Sequence, residues 1–187
     1  MTEKRDQIKK AALKLFCENG FQNTSTANIS KEADVATGTL FLYFPSKEGL
    51  INSLYVETKQ EQMNYLQEGL SRQKTSKTKM RHLWIKANDW ALKNQHSFRF
   101  THMFASSPYV TNLTKKEVVS TADLAEKVVK TAIKEGSVSR ISVPLFFSMF
   151  DSLSTASVNH CTTLKNKKDR QKAMEQAFEV FWKGVSK

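Results

Sequence analysis

The 187-residue chain carries 29 Lys and Arg against 18 Asp and Glu, a formal net charge of +11, which suits a polyanionic partner. Hydrophobic residues at 40 % and charged residues at 25 % are those of a globular chain rather than a disordered one, and six Gly with three Pro favour helices over a turn-rich β fold. No apolar run approaches the roughly 20 residues of a membrane span and no signal peptide precedes the first helix, so a cytoplasmic protein without a membrane partner is expected.

In chain order, the first helix is expected from about Thr2 to Glu18, with Ile8, Ala11, Ala12, Leu15 and Phe16 on one face. Asn19-Gly20 then stops it. The stretch from Thr24 to Leu50 is the most specific of the chain. Ser25 or Thr26 can cap a short helix carrying Ala27, Ile29 and Ala33, and Asp34 suits a turn because Asp tolerates positive φ. Val35 fills the gap between helices, a second short helix runs through Thr37 to Tyr43, Pro45 ends it, and Ser46 can cap a third. Two short helices joined by such a turn make a helix-turn-helix, whose second helix fits the major groove of DNA.

A long helix is expected from Ser46 to about Glu68, then a polar loop over 71–77 and a fifth helix from Thr78 to Asn94. Helix 6, Ser97 to Ala105, is rich in bulk and is broken by Ser106-Ser107-Pro108. Thr114 to Glu117 fits a capping box opening helix 7, which Gly136 closes. Ser142 and Pro144 open helix 8, and Asp169 starts helix 9, which ends near Gly184. The sum is an all-α chain of about nine helices.

Charge does not locate a nucleic-acid site. Residues 1–47 hold seven basic and five acidic side chains, whereas 22 basic and 13 acidic lie in 48–187. Cys17 and Cys161 are far apart, form no CxxC, and read as buried free thiols. His96, His102 and His160-Cys161 make no metal or catalytic constellation, so no metal, cofactor or catalytic residue is expected.

Ile8, Ala11, Ala12, Leu15, Phe16, Gly20 and Phe21, followed by Thr24, Ile29, Ala33, Val35, Gly38, Thr39, Leu40, Tyr43, Phe44, Ser46, Lys47, Glu48 and Leu50, match a known signature in order and spacing. On these residues the chain resembles the tetracycline-repressor (TetR) family of bacterial transcriptional regulators. The resemblance implies a helix-turn-helix DNA-binding domain over residues 1–46 and a helical regulatory domain for ligand binding and dimerisation over 47–187. DNA contacts would fall on Ser25, Thr26, Thr37, Gly38, Thr39, Phe41, Leu42, Tyr43 and Lys47. Four positions depart from the family pattern. Ala36 stands where a Ser or Thr cap is frequent, Asp34 replaces a frequent Gly, Phe41 a frequent Tyr, and Leu42 a frequent polar or aromatic residue.

Beyond the head, the resemblance implies a cavity for a small effector. Trp84, Trp90, Phe100, His102, Met103, Phe104, Phe147 and Phe150 are the candidate lining, although the same side chains serve equally as a filled core. His102 and Asn159 are polar groups in apolar stretches that would either orient a ligand or be satisfied by the fold. The last two helices would build a two-fold interface through Phe150, Ser154, Ser157, Cys161, Met174, Phe178 and Phe181. The expected function is a sequence-specific, homodimeric regulator of transcription on double-stranded operator DNA, a repressor released by a small, largely apolar ligand. The alternatives are a DNA-binding regulator without a small-molecule effector and an all-α enzyme.

Overall fold

A computed structural model of the chain describes residues 2–105, 107–109 and 124–187. Among these residues every regular element is helical. The elements are α1 (Thr2–Asn19), α2 (Thr26–Glu32), α3 (Thr37–Tyr43), α4 (Lys47–Gln67), a 3₁₀ turn (Leu70–Arg72), α5 (Ser76–Lys93), α6 (Gln95–Ala105), α7 (described over 124–134), α8 (Val143–Thr163) and α9 (Lys167–Val185). None of the described helices is long and apolar enough to cross a membrane. No described group of three or more His, Cys, Asp and Glu side chains is placed to hold a metal ion.

Packing divides the chain into two compact units, Met1–Gln60 with Asn94–Val118, and Glu61–Lys93 with Val119–Lys187. The division expected after residue 46 follows role rather than packing, and the two do not coincide. The first unit holds α1, α2, α3, most of α4, and α6. Ile8, Ala12 and Phe16 of α1 meet Ile29, Leu40, Phe44, Leu50, Ile51 and Leu54 in its core, with Phe100 and Phe104 of α6. Phe16 lies 5.2 Å from Phe21 and 6.3 Å from Phe100, centroid to centroid, and Tyr55 stacks on Phe104 at 3.9 Å. Ring pairs at these separations add to the burial of their area. The Cys17 thiol is buried here and donates to the His96 carbonyl (3.2 Å); burial pushes its pKa up.

The second unit is centred on Trp84 of α5. Its ring lies 5.2 Å from Phe150, 5.4 Å from Phe181 and 6.2 Å from Phe178, and its indole N–H donates to the Met174 carbonyl at 3.0 Å. A buried indole needs such an acceptor. Arg81 pairs with Glu175, and Lys77 with Glu179 (3.0 Å), holding α5 along α9. Cys161 is also buried, and burial raises its pKa too.

Several expected boundaries move, each for a local reason. The loop expected over 71–77 overlaps the end of the 3₁₀ turn and ends early, because the Thr75 hydroxyl accepts the Thr78 N–H (3.2 Å) and starts α5 at Ser76. Helix α9 begins at Lys167 rather than Asp169, since Asn166 is the cap that accepts the Asp169 N–H (2.8 Å). Ser142 with Pro144 opens α8 as expected, and Gly136, at φ 74°, closes α7. The capping box expected at Thr114 to Glu117 lies outside the described residues.

Candidate nucleic-acid interface

The helix-turn-helix is built from short-range hydrogen bonds over a small apolar floor. Of the two cap candidates for α2, Ser25 is the one used. Its hydroxyl accepts the Asn28 N–H at 3.1 Å from an extended backbone. Thr26 is the first helical residue and half-buried, and its carbonyl accepts from the Ser30 hydroxyl (2.9 Å). Behind them the buried Thr24 hydroxyl donates to the Gly20 carbonyl (2.8 Å), fixing the entry of the chain into α2. At the turn, Asp34 takes φ 52°, alone among the described non-glycine residues, and Val35 N–H donates to the Ser30 carbonyl at 3.0 Å.

Seven residues cannot hold a helix in water by propensity alone. Helix α3 persists because Leu40 and the C-cap Phe44 are buried in the core of the first unit. Ala36 has the extended backbone of an N-cap but no side-chain hydrogen bond closes this end, so Thr37 does not compensate for the missing hydroxyl. Anchored through Leu40, α3 turns its other side to water. Thr37, Gly38, Phe41 and Leu42 are exposed, while Thr39 and Tyr43 are half-buried at the flanks. Leu42 is 84 % exposed and Phe41 43 %. Beyond Pro45, the Ser46 hydroxyl accepts the Gly49 N–H (2.9 Å) and starts α4, placing Lys47 in its first turn. Partial burial alone pushes the Lys47 ammonium below its ordinary pKa.

One group near this frame has no pattern in the sequence. Glu57 of α4 accepts hydrogen bonds from Arg5 through both terminal nitrogens, from Lys9 at 2.8 Å and from the Ser53 hydroxyl at 2.8 Å. Burial would raise its pKa, but these donors outweigh it and hold the carboxyl down at about 2. Arg5 and Glu57 stand 52 residues apart, and no periodicity joins them.

The expected pocket residues are divided between the two cores. Phe100, Met103 and Phe104 belong to the core of the first unit, whereas Trp84, Phe147 and Phe150 belong to that of the second. Trp90 is buried on α5, and His102 packs edge-on against Phe98 (4.5 Å). Asn159 is exposed on α8, so it faces water rather than a cavity. The expected interface residues are placed as follows. Ser154, Ser157, Cys161, Met174, Phe178 and Phe181 are all buried within the single chain, and Phe150 is half-buried against Trp84 and Phe181. The apolar faces of α8 and α9 pack in part against α5 and against each other, with Phe147, Met149, Leu153, Ala173 and Ala177 half-buried. Of their Ala, Leu and Val side chains, Leu145 (52 % exposed), Ala156 and Val180 (65 %) are the ones left in water.

Comparison with known proteins places this geometry in a lineage. The family model described as "Bacterial regulatory proteins, tetR family" matches residues 8–54, which run from the first core residue of α1 into α4. The "Fatty acid metabolism regulator protein" of Bacillus subtilis (strain 168) is 35 % identical over 74 residues, spanning 40 % of this chain and only 38 % of that protein. The "Probable HTH-type transcriptional regulator YttP" of the same organism is 30 % identical over 145 residues, 75 % of this chain and 69 % of that protein. A TetR family transcription regulator from Marinobacter aquaeolei VT8 shares the fold, with a TM-score of 0.89 at 21 % identity over 99 % of this chain and 96 % of that one. With the helix-turn-helix built as described and a relative of this extent, the chain belongs to the TetR family of bacterial regulatory proteins.

Proposed function

We propose that this protein is a sequence-specific DNA-binding regulator of transcription that reads the major groove with α3. The observation that carries the reading is an anchored two-turn helix whose outward side holds Thr37, Gly38, Phe41 and Leu42, two of them large apolar side chains left in water. An apolar side chain in the major groove meets the thymine methyl, and threonine hydroxyls meet base edges or phosphates. Ser25 and Thr26 at the start of α2, Tyr43 at the end of α3 and Lys47 at the start of α4 are assigned to the DNA backbone, with Thr39 beside the groove. No catalytic role is assigned to any residue.

The wider reading is a cytoplasmic homodimeric repressor released from its operator by a small, largely apolar ligand. Two-fold operators call for a two-fold protein. The surface assigned to pairing is the outward side of α8 and α9, with Leu145, Ala156 and Val180 exposed. An effector site is supported in the second unit, where buried Asn88 donates to the Ser154 hydroxyl (3.1 Å) while its Oδ1 finds no partner among the described residues. An orphaned buried acceptor is where a ligand's donor would be rewarded.

The experiment is selection of bound duplexes from a random-sequence pool by the purified protein, followed by sequencing. A two-fold sequence whose half-sites lie one helical turn or a multiple apart is expected. Recovery of duplexes with no common sequence would overturn the reading.

A further inference from the structure

We infer that Arg5 and Glu57 are positioning residues for DNA recognition, a three-element clasp that sets how α3 is presented to the groove; the inference rests on the assignment of α3 as the reading helix. The Arg5 guanidinium sits between two different elements. One side donates to Glu57 and to the Ser53 hydroxyl (3.1 Å) on α4, and its Cζ lies over the Phe44 ring, 5.2 Å from the centroid. Phe44 is the C-cap of α3, its N–H bonded to the Leu40 carbonyl (2.9 Å) and its ring buried. A single side chain of α1 therefore touches both the end of the reading helix and the flank of the helix that follows it.

The carboxylate at the other end is held from several directions. Arg5 grips it through the guanidinium fork, Lys9 binds it from one turn further along α1, and Ser53 binds it from one turn back along α4. A charge-assisted fork fixes direction as well as distance. Isolated surface ion pairs contribute little, but a half-buried carboxylate with this many donors cannot swing to water without taking its partner from the Arg5 guanidinium, while Lys9 keeps Asp6 (2.8 Å). With Glu57 fixed, the guanidinium is fixed, and so is the ring beneath it. Between Phe44 and the start of α4 stand only Pro45 and Ser46, so a shift of α4 against α1 passes directly to the end of α3. The clasp converts the packing of α1 on α4 into the tilt of α3.

A sign separates this role from plain electrostatics. Glu57→Gln removes a negative charge from a unit that binds a polyanion, and the long-range field alone would then tighten binding. The clasp demands the reverse. Affinity of Glu57→Gln for the duplex selected by the wild-type protein should fall about tenfold, the loss expected for one charge-assisted hydrogen-bonded contact. The slope of log K against log salt should stay unchanged, because no phosphate contact is lost. Arg5→Lys keeps every charge but loses the fork, and should weaken binding in the same direction. Fluorescence anisotropy well below each variant's unfolding temperature supplies the affinities, and thermal unfolding confirms that each is folded. Equal or tighter binding by Glu57→Gln overturns the inference while leaving α3 as the reading helix; should that variant not fold, equal or tighter binding by Arg5→Lys does the same. A wild-type protein that selects no duplex at all removes the α3 assignment and the clasp with it.

Discussion

Leu42 offers the groove nothing but carbon. In the reading proposed above its partner is a thymine methyl, the apolar feature of the major-groove edge, and its place on the exposed side of α3 leaves it free of the core. Leu42→Ala should therefore cost on the order of 1 kcal/mol of discrimination at one thymine per half-site while leaving the fold intact. Lys47→Ala in the same selection is the contrast. Loss of a phosphate contact should weaken all sequences alike and lower the salt slope by roughly one. An unchanged preference in the Leu42 variant, or a changed one in the Lys47 variant, would exchange or cancel the two assignments. Phe41, only half as exposed, has part of its ring against the protein and is expected to add contact area more than discrimination.

Helix α3 is the element to which the proposal assigns base reading. Its N-terminus is uncapped, yet Ala36 already has φ −63° and ψ 145°, the extended geometry of a capping residue. Ala36→Ser should add about 1 kcal/mol by satisfying an orphan N–H, seen as a higher urea midpoint at unchanged slope. A fall in the midpoint would mean that the backbone there cannot orient the new hydroxyl. The elements of this region could be read from the sequence because their signals are local. Ser25, Asp34, Pro45 and Ser46 each act within three or four residues, and each does in the structure what its chemistry suggested. Signals that cross the chain were not legible. The Arg5–Glu57 contact spans 52 residues with no period to betray it. The apolar stripes of α8 and α9 were visible, but a stripe does not say what covers it. Within the chain, Trp84 and the Asn88 amide of α5 pack against part of those stripes, at Phe178, Met174 and Ser154. The aromatic side chains of α5 and α6 read as one lining and divide between two cores for the same reason.

At the scale of the molecule, burial separates two substitutions only two residues apart. Phe178 is fully buried beside Trp84, so Phe178→Asp would leave an unpaired charge in the core and unfold the second unit. Val180 is 65 % exposed on the other side of α9, so Val180→Asp costs the single chain little. If pairing uses the outward side of α8 and α9, Val180→Asp should give a folded monomer by sedimentation velocity with normal far-ultraviolet dichroism. It should also lose affinity for the two-fold operator. A Val180→Asp protein that still sediments as a dimer moves the interface elsewhere.

The two thiols have a practical corollary. Cys17 and Cys161 are both buried, and burial raises both pKa values, so little thiolate exists at neutral pH and reagents cannot reach it. The wild-type chain is therefore expected to label slowly with maleimides and nitroxide reagents. A single cysteine introduced at exposed Glu18 on α1 would then be the one site labelled, and a two-fold pair would carry one inter-label distance. Pulsed electron-spin measurements on that pair would read the separation of the two heads directly, with and without operator or candidate effectors, and without removing any native residue from the core.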